Sequence, residues 1–117
     1  MKKLFVVPLS VACAVLSLSA AQAGNVENGK KLFESPTFGG GTSGKTCASC
    51  HADGAKLSAD LFEREKHMVM GNEMASVADT VNVCIEMALK GKAIKTDSDE
   101  MKDVLAYMQA LVKEKKE

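Results

Sequence analysis

The chain is expected to fold as an all-α domain of about four helices, on three observations taken together. Apolar residues recur at helical spacing in several segments. Residues that start and stop helices bracket those segments. No strand-like alternation runs long enough to compete. The first stretch, however, reads as an export signal. Lys2 and Lys3 form a positive n-region, residues 4–21 are almost unbroken apolar sequence, and Ala21-Gln22-Ala23 is an A-x-A cleavage site. Cleavage after Ala23 predicts residues 1–23 as a removed signal peptide and 24–117 as one domain, periplasmic and without a membrane anchor. Cys13 falls inside the signal, and Ser10-Val11-Ala12 before it is a poor lipidation match.

The remaining elements follow in order. Asn25 caps a first helix through Phe33, with Pro36 as a stop. Residues 39–44, rich in glycine, make a flexible loop; it lacks the GK[ST] ending and the preceding strand of a phosphate loop. Ser58 is the expected cap of a second helix to about Met70, ended by Gly71 and Asn72. Ser76 or Asp79 opens a third helix to Lys90, stopped at Gly91. Thr96-Asp97-Ser98-Asp99-Glu100 starts a C-terminal helix whose apolar face is Met101, Val104, Leu105, Met108, Leu111 and Val112. Acidic residues begin it and Lys113, Lys115 and Lys116 end it, as the helix dipole favours.

Composition narrows the function. Acidic and basic residues balance over the whole chain, and losing Lys2 and Lys3 with the signal leaves a charge of −2. That charge, with four Phe, one Tyr and no Trp, gives no case for nucleic acid. A domain this small gains from a cofactor that fills its core.

Cys47-Ala48-Ser49-Cys50-His51 names that cofactor. In an exported chain CxxCH is the attachment site of one covalent haem c: the two thiols add across porphyrin vinyl groups and the next residue offers an imidazole to iron. Cys47 and Cys50 are therefore the covalent anchors and His51 the proximal axial ligand. Zinc would require a second Cys/His pair, and a thioredoxin-type dithiol a preceding strand. Once two cysteines are thioethers, Cys84 has no disulfide partner.

The order of pieces resembles a class I cytochrome c across almost all of residues 24–117. "ENGKKLFES" at 27–35 is similar to the family's N-terminal helix, "CASCH" to its haem site and "DSDEMKDVLAYMQAL" at 97–111 to its C-terminal helix. The resemblance implies that the two terminal helices cross beside the haem. It also implies a methionine sixth ligand in the loop before the last helix, and residues 91–96 contain no methionine, histidine or cysteine.

The distal ligand must then come from elsewhere. On a helical wheel of the third helix, Asp79, Asn82, Glu86 and Lys90 form a polar sector; the wide remainder includes Cys84 and Met87, one turn apart. Met87 is the first choice and Cys84 the close alternative, with Met68, Met70, Met74, His67 or an open position behind them. His67, among Glu63, Arg64, Glu65 and Lys66, is expected to be a solvated side chain. Lys45 and Lys56 flank the motif and would edge an exposed haem.

A narrower likeness bears on the setting. "NVCIEMALKGKAIKTDSDEM" at 82–101 is similar to the first haem domain of thiosulfate dehydrogenases, which implies Cys84 as distal ligand. The single haem site and size are also similar to the cytochrome subunit of flavocytochrome c sulfide dehydrogenase, which implies a methionine. The second likeness implies an electron-transfer subunit in sulfur oxidation, with no catalysis of its own. Its donor would be an FAD-containing sulfide dehydrogenase flavoprotein subunit and its acceptor a soluble cytochrome.

Overall fold

The terminal helices organise the molecule, and the reason lies in one missing side chain. In the computed structural model, which describes residues 24–116, α1 (Val26–Phe33) crosses α4 (Asp99–Lys116). Residues 1–23, expected to be a signal peptide and containing Cys13, lie outside the described residues. At the crossing, a Cβ on Gly29 would stand 1.9 Å from the Asp103 carbonyl oxygen, so only glycine allows the backbones this close. The same acidic residue ties the helices: Asp103 accepts from the Asn25 backbone N–H at 2.7 Å and from Asn28 Nδ2 at 2.6 Å. Phe33 and Tyr107 complete the contact edge to face, with ring centroids 5.2 Å apart.

Local signals explain most boundaries. The Asn25 side chain caps α1 by accepting from the Asn28 N–H at 3.0 Å. α2 (Cys47–His51) is one short turn opened by Thr46, which forms a reciprocal capping box with Ser49. Ser76 caps α3 (Val77–Met87) by accepting from the Asp79 N–H. Ser98 accepts from the Met101 N–H at the start of α4.

Two segments differ from expectation, and with them the fold class. The domain is not all-α: it is a mainly helical fold with a two-stranded antiparallel sheet, β1 (His67–Val69) and β2 (Asn72–Met74), in register His67 to Met74 and Val69 to Asn72. The helix expected over Ser58–Met70 does not form. Ser58, read as its cap, instead accepts from Arg64 Nη2, and Arg64 Nε also binds Asp60 at 3.0 Å. The chain therefore turns back on itself, with Leu57 and Leu61 buried. The hairpin then closes through Met70 and Gly71, both at positive φ (49° and 81°), the pairing a two-residue turn requires for matched strand twist.

The core is formed by α4 against α1 and α3. Phe33, Ile85, Leu89, Met101 and Val104 are fully enclosed, and Phe38, Val77, Val81, Met108, Leu111 and Val112 surround them. At about 25 cal/mol per Å² of apolar surface, each such side chain contributes roughly 1.5–3 kcal/mol. Its apolar positions on α4 are those predicted from spacing, except that Leu105 is only partly buried.

The glycine-rich segment is anchored by its neighbours rather than loose. Thr42 and Ser43 backbone N–H groups both donate to the Leu89 carbonyl, at 2.8 and 3.0 Å. Their hydroxyls donate to Lys90 and Ala88 carbonyls, at 3.0 and 2.7 Å. These bonds satisfy carbonyls that the end of α3 leaves open. They also set Thr46 and α2 down beside α3.

Candidate cofactor site

That placement creates a pocket of about 400 Å³, in the size range of small-molecule and cofactor sites. Cys47, Cys50 and His51 line it from α2, Val81 and Cys84 from α3, and Ala88 from just past its end. Phe33, Val104 and Met108 contribute from the crossing helices, and Arg64, His67, Met68, Val69 and Met70 from the hairpin side. The sequence thus brings its three predicted attachment residues into one apolar cavity.

His51 is oriented by its own chain. Its Nδ1 lies 2.8 Å from the Ala55 carbonyl oxygen, a partner that calls for a proton on Nδ1 and leaves Nε2 as the free electron pair. Asp53, at φ 53°, and Gly54, at φ 80°, bend the chain so that Ala55 returns under the ring. Metal-ligating histidines in general carry an outer hydrogen bond of this kind, which fixes tautomer and ring plane.

The thiols differ in setting. Burial pushes the Cys47 thiol up to about 11, with the nearby Cys84 adding to the effect. Cys84 is also raised, chiefly by burial and secondarily by Cys50. The three sulfurs therefore sense one another across the cavity. As free groups Cys47 and Cys84 are therefore held as thiols.

The distal candidates separate clearly. Cys84 forms part of the pocket wall, whereas Met87, one turn later at the end of α3, is 47% exposed and does not line the pocket. Met68 and Met70 line it from the hairpin while remaining 69% and 55% exposed; Met74 is half-buried away from it. His67, expected to be solvated, is 4% exposed and lines the pocket. Its place on β1 turns it inward at the base of the hairpin. Lys45 is exposed and away from the cavity, and Lys56 lies on its rim.

Sequence reasoning missed several contributors. The helical wheel places Asn82 in a polar sector, yet its side chain is a two-way clamp: Nδ2 donates to the Ile94 carbonyl at 2.8 Å and Oδ1 accepts from the Ile94 N–H at 2.9 Å. It pins the loop in which a methionine ligand was sought. Nothing local announces that role, because the partner is a backbone peptide twelve residues away. Arg64, Ser58 and Met108 also join the wall; only Met108 had a signal, its place on the apolar face of α4.

No protein family, curated protein or solved structure matches this chain. The chemistry must be judged from the pocket itself. Among the described residues, no three His, Cys, Asp or Glu side chains gather to hold a free metal ion. The lining instead offers the three thiols of Cys47, Cys50 and Cys84, the imidazoles of His51 and His67, extensive apolar wall, the cations Lys56 and Arg64, and no carboxylate. A flat apolar group with acidic substituents, tethered through sulfur, fits that donor set, and a haem is such a group.

Proposed function

We propose that this protein is a periplasmic, cytochrome c-like carrier of single electrons, with one haem attached through Cys47 and Cys50 and bound by His51. The observation that carries the reading is the convergence of these three side chains, with the His51 ring already aligned by Ala55, on one apolar cavity. A haem bound there supplies reversible one-electron transfer at iron. The protein's part is to exclude water with Leu57, Leu61, Val81 and Val104, and to hold the proximal ring in one orientation.

Cys84 is the better-placed distal ligand, since it belongs to the pocket wall and Met87 does not. A thiolate favours the ferric state and sets a lower potential than a thioether would. The proposed setting is sulfur oxidation, as the haem subunit receiving electrons from a sulfide-oxidising flavoprotein and passing them to a soluble cytochrome. That setting draws on the resemblance of residues 82–101 and of the single haem site. The position of Cys84 also favours a second reading, a thiosulfate dehydrogenase-like component in which this sulfur meets the substrate.

The decisive experiment is export of the full chain in a host with cytochrome c maturation, followed by denaturing electrophoresis with haem staining. Covalent haem in the wild type, lost in Cys47→Ala/Cys50→Ala, is expected; a colourless periplasmic protein refutes the proposal. Copurification with a flavin-containing subunit supports the carrier setting. A lone monomer that turns over thiosulfate selects the second reading.

A further inference from the structure

Among the described residues, His67 is the buried polar side chain left with an unpaired ring nitrogen. It is 4% exposed, and its Nδ1 has no hydrogen-bond partner. In a neutral imidazole, a buried N–H without an acceptor costs more than a bare ring nitrogen, so the proton belongs on Nε2. Nδ1 is closed off from solvent and the residue lines the pocket, so with the proton on Nε2 what the ring can offer a ligand there is a donor.

The pocket around it selects for anions. Lys56, Ser58 and Arg64 line the same cavity, and no Asp or Glu does. Arg64 is held in place by Asp60, at 3.0 Å, and by Ser58. A cavity that is apolar over most of its wall and offers donors without acceptor carboxylates fits a ligand carrying its own acidic groups. On a porphyrin tethered through its vinyl groups, those acids are the two propionates, on the edge away from the thioethers. The donors for them must come from outside α2, and β1 supplies one.

We propose that His67 Nε2–H is a hydrogen-bond donor to a haem propionate, with Arg64 providing charge to the same carboxylate end. The assignment rests on the reading of Cys47, Cys50 and His51 as the haem site. The hairpin then has a purpose: its two-residue turn fixes the register that faces His67 inward, opposite Met74. Removing a donor from an ionised propionate leaves more negative charge near the iron and favours the ferric form.

The test uses the full holoprotein with covalent haem. In the wild type at pH 8, a nuclear Overhauser contact between His67 ring protons and propionate methylenes in the ferrous state is expected, and its absence overturns the proposal. For His67→Phe, the redox-difference infrared bands of the propionate carboxylates shift, and the oxidised-to-reduced equilibrium moves about three- to tenfold toward ferric. His67→Gln, which keeps a donor near Nε2, stays close to wild type. In both variants the axial-ligand electron paramagnetic resonance spectrum is unchanged. A changed axial spectrum would make His67 an iron ligand and overturn the assignment, as would unshifted bands and potential in His67→Phe. Failure of the haem reading itself is distinguishable, because the wild type would then show no covalent haem.

Discussion

Gly29→Ala tests the packing that supports the pocket, and the structure sets its size. The added Cβ would stand 1.9 Å from the Asp103 carbonyl oxygen, 2.6 Å from its carbon and 2.9 Å from Tyr107 Cβ. Ordinary contact begins near 3.4 Å, so α1 must withdraw from α4 by about 1.5 Å. Both contacted Asp103 atoms are backbone within a helix and cannot swing away. Overpacking of this kind costs about 1–3 kcal/mol. Withdrawal also strains the Asn25 and Asn28 bonds to Asp103, worth about 1.5–3 kcal/mol apiece at full strength because the acceptor is charged. Against this, alanine is favoured over glycine in a helix by about 1 kcal/mol. A net loss of about 2–4 kcal/mol is expected, a large part of the roughly 5–15 kcal/mol typical of a domain. Equilibrium urea unfolding measures it, with exposed Lys31→Ala on the same helix as a control expected within about 0.5 kcal/mol of wild type. A Gly29→Ala protein as stable as wild type would show that the helices do not meet at this residue.

Further predictions concern the pocket and its supports. Cys84→Ala is expected to change the ferric axial-ligand spectrum and Met87→Ala to leave it alone; a methionine-type near-infrared band in the wild type, lost in Met87→Ala, would reverse the ligand assignment. Asn82→Ala removes both bonds to Ile94 and should cost about 1–3 kcal/mol, with faster hydrogen exchange confined to residues 91–96; unchanged exchange would show the loop is held by other means. In the chain without haem, the unfolded Cys47 ionises near its ordinary value of 9.0 and the folded one only toward about 11. The unfolded state therefore loses its proton first, stability falls as pH rises through that window, and Cys47→Ser flattens this part of the curve. An identical pH profile for both proteins would contradict the burial of that thiol.

What could be read from the chain was mostly local. Asn25, Ser76 and the acidic start of α4 announce helix beginnings because a cap's chemistry acts within one turn. The CxxCH motif is legible for the same reason, five consecutive residues being enough. Ser58 misleads because its hydroxyl serves Arg64, a side chain the sequence cannot place. Met70-Gly71 is a turn only because both residues accept positive φ, and methionine gives no sign of that. The wheel puts Cys84 and Met87 on one face; what separates them is where α3 ends and where the glycine-rich segment lands. That depends on the Leu89 carbonyl accepting from Thr42 and Ser43, a contact between segments remote in sequence.

That anchor acts as a ruler. Ser43 is fixed just past the end of α3, and Cys47 follows four residues later, so the length of this connection limits how far Cys47 can stand from that end. One residue inserted between Ser43 and Thr46 would add up to about 3.3–3.6 Å of reach, enough to carry a sulfur out of the cavity. The same insertion at Gly40, where nothing lies within 4 Å of an added Cβ, falls outside the measured interval. Tolerance to length change should therefore switch abruptly at Thr42, which makes this short segment a gauge block for the proposed haem site rather than a tether.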